Sequence, residues 1–119
     1  MFTYFAVAAG GAIGALLRFS LVTHTSIPFA ILFANVLGSC LMGVLVGGQH
    51  ASWLNMSLTS QSFLMVGMLG AFTTFSTFSL EAFMMMQEGQ LKLAAVYVLA
   101  SVVLAILAFA IGYKLTALF

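Results

Sequence analysis

Four apolar runs separated by short polar breaks dominate this chain of 119 residues. The first extends roughly from Phe2 to Val22 and ends in Thr23-His24-Thr25-Ser26. The second starts after Pro28, runs from about Phe29 to Gly48, and is followed by the polar stretch Gln49-His50-Ala51-Ser52-Trp53-Leu54-Asn55. The third covers about Ser62 to Met86 and ends at Gln87-Glu88-Gly89-Gln90; the fourth runs from Leu91 to about Leu118. Each holds about 20 residues or more, enough to cross a hydrocarbon core of ~30 Å. Only 4% of the residues are charged and 64% are hydrophobic, whereas a soluble domain carries about 25% charged residues. Such a chain cannot cover its surface in water. The pattern predicts an all-α integral membrane protein, one domain over residues 1–119 with four transmembrane helices. An open sheet would leave its edges unsatisfied in lipid, and the alternation of a membrane barrel is absent. No basic residue precedes the first run, so it does not read as a signal peptide.

The same composition excludes several functions. A formal charge of +1 gives nucleic acid nothing to bind. Cys40 is single and sits in an apolar run, so it reads as a small packing residue. His24 and His50 lie in connections with no nucleophile or carboxylate nearby, which argues against an enzyme.

Charge near the span ends is almost balanced across the membrane. Four spans place both termini and the middle connection on one side, marked by Lys114, and Arg18 and Lys92 on the other. The positive-inside rule needs a clear Lys/Arg excess on one side. Insertion in both orientations is therefore expected, with an antiparallel, dual-topology homodimer about a two-fold axis in the membrane plane. Eight helices from two chains would also leave more interior for a path than four. Gly10 with Gly14, and Gly43 with Gly47, are spaced for close helix contact.

Polar residues cluster by depth. In the third span Thr73-Thr74-Phe75-Ser76-Thr77-Phe78-Ser79 sets hydroxyls and two rings where no water can satisfy them. Asn35 lies roughly 9 Å into the second span by helical rise, with Ser39 one turn further on. Phe78 and Phe75 lie roughly 12 and 16 Å from the end of the third span by the same rise. Tyr97 and Ser101 lie one turn apart at matching depth in the fourth. Asn35, Ser39, Phe75, Ser76, Thr77, Phe78, Tyr97 and Ser101 thus share one slab. Arg18 and Glu81 can meet one layer closer to the interface, since paired charges avoid the cost of isolated ones in lipid; the alternative is an Arg18 that snorkels to the headgroups. The donors in the slab are an amide, hydroxyls and a phenol, with no deep Lys or Arg. Ring edges are electropositive and can hold a small anion without trapping it, and conduction requires binding that also lets go. The residues alone define a path for a small polar solute or anion, or polar glue between helices.

Three motifs carry a resemblance: Gly11-Ala12-Ile13-Gly14-Ala15-Leu16-Leu17-Arg18-Phe19, Asn35-Val36-Leu37-Gly38-Ser39, and the third-span run from Gly67 through Gly70 and Thr73-Thr74-Phe75-Ser76-Thr77-Phe78-Ser79 to Leu80-Glu81. Along nearly its full length the chain resembles the Fluc family of fluoride channels. The resemblance implies an antiparallel homodimer with two pores in the inner (plasma) membrane, exporting fluoride passively from the cytoplasm. It implies Asn35 as the amide that meets the ion and Phe75 and Phe78 as an aromatic box. Ser76, Thr77, Tyr97 and Ser101 would form a polar track, with Arg18 and Glu81 at the vestibule. It also implies a structural sodium ion at the dimer interface, held by the Gly70 and Thr73 carbonyls of both chains at a helix break. Independently, Gly67 and Gly70 weaken the helix near mid-membrane, and a broken helix frees carbonyl oxygens for a hard cation.

The chain departs from the family pattern at two places. Ala71 stands where a second glycine is usual, and Ala30-Ile31-Leu32 replaces Gly-Thr-Leu, removing a hydroxyl one turn before Asn35. Two other readings share the four-span outline: a small proton-coupled multidrug exporter, which needs a deep ionisable carboxylate, and a non-transporting assembly subunit.

Overall fold

The computed structural model describes residues 1–27 and 29–119; Pro28, which the sequence places just before the second span, lies outside them. Every regular element among the described residues is helical. α1 (Phe2–His24) ends where Thr25 turns extended, and α2 (Ala30–His50) begins at Phe29, whose backbone is left-handed. The third span is composite: α3 (Leu58–Gln61), a π-helical stretch Ser62–Leu69, α4 (Gly70–Phe72), an extended step at Thr73 and Thr74, and α5 (Phe75–Gln87). α6 (Leu91–Ala117) follows a tight turn in which Gly89 takes a φ of 77°, a conformation that suits glycine. Four helical segments, Phe2–His24, Ala30–His50, Leu58–Gln87 and Leu91–Ala117, are long and apolar enough to cross a membrane. The third begins four residues ahead of the expected Ser62 because Ser57 caps it, its Oγ accepting from the Ser60 N–H at 3.1 Å.

Two helix pairs build the frame, and glycines set both. Gly43 and Gly47 of α2 lie against the backbone of Phe109 and Tyr113 on α6, while Gly112 of α6 lies against Cys40. On the other side, Gly10 and Gly14 of α1 meet the π-helical stretch. There a Cβ added at Gly67 would stand 2.7 Å from the Val7 carbonyl and 3.0 Å from the Gly10 Cα. Both small-residue pairs therefore serve close backbone approach. The connection after α2 folds back on the end of α6: the Trp53 indole donates to the Thr116 carbonyl at 2.9 Å, and His50 Nδ1 lies 3.0 Å from the Tyr113 hydroxyl.

The buried core is small. Ile31, Phe78, Ala82 and Tyr97 form its main cluster, where α2, α5 and α6 converge. Long runs of Leu, Val, Ile and Phe face outward on every span. Only lipid or another apolar surface can cover them, so the chain is a multi-pass membrane protein.

Candidate functional site

The third span breaks at its threonines rather than at its glycines. Thr73 is the last residue whose N–H returns to the helix, donating to Leu69 O at 3.1 Å, and its hydroxyl donates to the same carbonyl at 3.0 Å. Thr73 then adopts φ −85°, ψ 156° and Thr74 φ −154°, ψ 126°. Thr74 restarts the helix as an N-cap, its Oγ1 accepting from the Thr77 N–H at 3.2 Å. Glycines 67 and 70 remain helical, and Gly67 instead provides the close contact with α1.

Asn35 fixes the break from α2. Its Nδ2 donates to the Thr74 carbonyl at 3.0 Å, and its Oδ1 accepts from the Thr74 N–H at 2.8 Å. One amide thus grips both polar groups of one residue. In a continuous helix the Thr74 N–H would bond the Gly70 carbonyl, and the Thr77 N–H the Thr73 carbonyl. Asn35 takes the first and the Thr74 hydroxyl takes the second, leaving the Gly70 and Thr73 oxygens without those partners. Ala71 lies in α4, outside the positive-φ region, so its methyl group imposes no strain where the family pattern has glycine. Ile31 does not disturb Asn35 either, because the amide is held by Thr74; Ile31 is buried against Phe78 and Tyr97.

Beside the break a groove of about 300 Å³ is lined by Asn35, Ser39, Thr73, Thr74, Phe75, Phe78 and Ser101, closed on one side by apolar residues of α6. Ser101 is buried, and its hydroxyl has no hydrogen-bond partner among the described residues. The Phe75 and Phe78 rings lie with centroids 5.3 Å apart and planes tilted by 52°. Phe78 is 7% exposed and Phe75 is 76% exposed, so one ring is built into the fold and the other faces outward.

The remaining residues of the expected slab occupy neighbouring positions. Tyr97 stacks on Phe78 at 5.4 Å, and its hydroxyl donates to Glu81 Oε2. Thr77, Arg18 and Glu81 line a second cavity of about 240 Å³ between α1, α2 and α5. The Arg18–Glu81 pair does not form: no ion pair occurs among the described residues, and the Glu81 carboxylate is held by the phenol instead. Ser76 is exposed and its hydroxyl lies 3.1 Å from that of Thr74. Ser79 is exposed as well and bonds back to the Phe75 carbonyl at 2.9 Å, so its hydroxyl is spent within its own helix.

Sequence reasoning missed three features. Thr74 as a cap was readable, since a threonine directly before a helical run is a start signal. The π-helical stretch and the ring of Phe29, which stacks on Tyr97 at 5.8 Å, had no sequence signal. Another cavity, about 530 Å³ between α1, α2 and Met68–Phe72, is apolar and is lined by none of these groups.

The class that emerges is a small multi-pass membrane protein with a mainly apolar groove, bearing an amide, hydroxyls and two phenylalanine rings, at a broken helix. The chain belongs to the CrcB family, whose model, described as "CrcB-like protein, Camphor Resistance (CrcB)", matches residues 5–113. It is 42% identical over 111 residues to a protein of Idiomarina loihiensis, covering 88% of this chain and 84% of that one. It is 45% identical over 125 residues to one from Erythrobacter litoralis, covering 95% and 90%. A protein of Parabacteroides distasonis is 40% identical over 118 residues, covering 94% and 91%. All three relatives are named fluoride-specific ion channel FluC, a channel and not an enzyme. The resemblance carried by the three sequence motifs is thereby borne out.

Proposed function

We propose that this chain is a passive, fluoride-selective channel that lets fluoride leave the cytoplasm across the inner membrane. The observation that carries this reading is the groove: a buried, unpartnered Ser101 hydroxyl, the Asn35 side chain and the rings of Phe75 and Phe78 line it together with no cationic side chain among them. A small anion needs its hydration shell replaced, and an unpartnered hydroxyl gains from donating to it. Ring edges supply weak positive potential, so the ion is held and released rather than trapped. Asn35 keeps one amide hydrogen beyond its bond to Thr74, free to face the groove. Ser39 lines the same groove, while Thr77 and Glu81 continue toward the second cavity, with Tyr97 linking the two through its hydroxyl.

The working unit in this reading is an antiparallel homodimer with two pores. The outward ring of Phe75 and the open side of the groove support it, because a second copy would close both. Balanced charge at the span ends supports insertion in both orientations. A sodium ion fits the freed Gly70 and Thr73 carbonyls, an all-oxygen donor set suited to a hard cation. Bound between two copies, it would supply positive charge at the centre of the dimer and tie the two breaks together.

The test is fluoride efflux from liposomes at known protein density, with chloride as control. Fast fluoride flux with little chloride flux is expected. Equal rates, or no fluoride flux from well-folded protein, would defeat the proposal. Export of a cationic dye dependent on Glu81 would instead favour a proton-coupled exporter.

A further inference from the structure

Phe29 is the bulky residue with the least local reason to be where it is. It stands immediately before α2 with φ 57° and ψ 46°, one of two non-glycine residues in the left-handed region among the described residues, the other being Ser52. That conformation is unfavourable for a side chain with Cβ and easy for glycine. A turn needing this geometry would take glycine or asparagine at no cost, so the ring itself must be worth keeping. The ring does make a specific contact. It stacks on Tyr97 at 5.8 Å with planes tilted by 33°; Tyr97 stacks on Phe78 at 5.4 Å, and Phe78 on Phe75 at 5.3 Å. Four rings from two helices and a connection therefore form one nearly evenly spaced ladder. It runs from the groove at the helix break to the membrane face where α2 begins. Phe29 is 45% exposed, so its outer half faces away from the protein while its inner half covers Tyr97.

We infer that Phe29 is the outermost ring of the ion path, a positioning residue that holds the Tyr97 ring and presents an electropositive edge at the mouth. The inference rests on the channel reading above. Tyr97 is gripped at its tip by Glu81 and on one face by Phe78. Phe29 adds a second ring contact, at 5.8 Å, and so narrows the freedom of the Tyr97 ring to swing. Without it the phenol would still find Glu81 but over a wider range of orientations, and the mouth would lose its ring edge. Capture of fluoride at low concentration should suffer first, since conduction at saturating fluoride is set deeper, in the groove.

The experiment compares fluoride efflux from liposomes as a function of fluoride concentration for the parent, Phe29→Gly, Phe29→Tyr and Phe29→Leu. Glycine accepts the left-handed backbone, so Phe29→Gly removes the ring while keeping the turn. The expected result is a fall of about two- to tenfold in flux at sub-saturating fluoride for Phe29→Gly, the scale of one aromatic contact. The saturating rate should stay near that of the parent, and Phe29→Tyr should restore low-concentration flux. Phe29→Leu keeps apolar bulk over Tyr97 without a ring and should resemble Phe29→Gly. It also carries the test if the glycine variant does not fold. Parent-like flux in Phe29→Gly or Phe29→Leu overturns the inference, as does a Phe29→Tyr variant as weak as Phe29→Gly. A parent that conducts no fluoride overturns the channel reading itself; a conducting parent with indifferent variants overturns only the role of Phe29.

Discussion

Replacing Asn35 tests whether one amide both shapes the helix break and serves the groove. In Asn35→Ala two hydrogen bonds vanish, the 3.0 Å bond to the Thr74 carbonyl and the 2.8 Å bond from the Thr74 N–H. Hydrogen bonds between membrane helices average about 0.6 kcal/mol and reach about 1.7, so the pair is worth about 1–3 kcal/mol. At 1.4 kcal/mol per decade, that shifts the balance between clamped and released break by about 5- to 150-fold. Asn35→Asp separates the two roles. Its carboxylate still accepts from the Thr74 N–H, but it loses the donor to the Thr74 carbonyl and places negative charge beside the groove. Amide hydrogen exchange at Thr74, measured on purified protein in lipid nanodiscs, reports the clamp; liposome efflux reports the path. Asn35→Ala should lose Thr74 protection by about 5- to 150-fold and lose most of its fluoride flux. Asn35→Asp should keep that protection and still lose flux, because a fixed anion repels a mobile one. Unchanged Thr74 protection in Asn35→Ala would refute the clamp. Parent-like flux in Asn35→Asp would show that ions do not pass Asn35.

Further substitutions separate packing from conduction. Phe78→Ile should cost about 1–2 kcal/mol of stability, because that ring is 7% exposed within the chain's own fold. Phe78→Ile and Phe75→Ile should both lower fluoride flux by about 2- to 12-fold while the oligomer persists on size exclusion; normal flux in both would remove the ring edges from the path. Gly67→Ala forces a methyl group to within 2.7 Å of the Val7 carbonyl and should destabilise by about 1–3 kcal/mol, read as a lowered Tm. Gly11→Ala, where the added carbon meets nothing within 4 Å, should not. Tyr97→Phe removes the hydroxyl that holds Glu81 and should slow fluoride flux at a stability cost of about 0.6–1.7 kcal/mol.

Much of this was legible because a membrane solvent leaves few choices. Span ends followed from Thr23–Ser26, Gln49–Asn55 and Gln87–Gln90, where the helices end or reverse within a few residues. Depth counting brought Asn35, Ser39, Phe75, Phe78 and Ser101 to one groove because helical rise is nearly constant. It misjudged Arg18 and Glu81, since depth fixes level but not direction: both reach the same cavity, yet the Tyr97 phenol reaches the Glu81 carboxylate. The break falls at Thr73, where it was expected, but its cause is not glycine flexibility. Glycine permits a break without demanding one, and Gly67 and Gly70 stay helical while α1 presses against Gly67. What opens the backbone is a partner on another helix, Asn35, and a single sequence does not display partners. Phe29 escaped notice for the same reason, being ordinary in composition and unusual only in conformation and contact.

The threonine pair explains why this chain can carry Ala71 where the family pattern has glycine. Were the break a product of glycine flexibility, a methyl group at that position would oppose it. Here the backbone departs from the helix only after Ala71 and Phe72, at residues whose hydroxyls satisfy what the departure exposes. Thr73 bonds back to Leu69, and Thr74 bonds forward to Thr77. Asn35 holds the Thr74 N–H and carbonyl between them. The Thr73, Thr74 and Thr77 N–H groups are thus each matched without water, while the Gly70 and Thr73 oxygens lose their helical partners. The same Asn35 amide lines the groove. Removing the side chain, as in Asn35→Ala, should therefore act on both the carbonyls and the proposed anion path, whereas Ser101 and Phe75, which do not touch the break's backbone bonds, should affect the path alone.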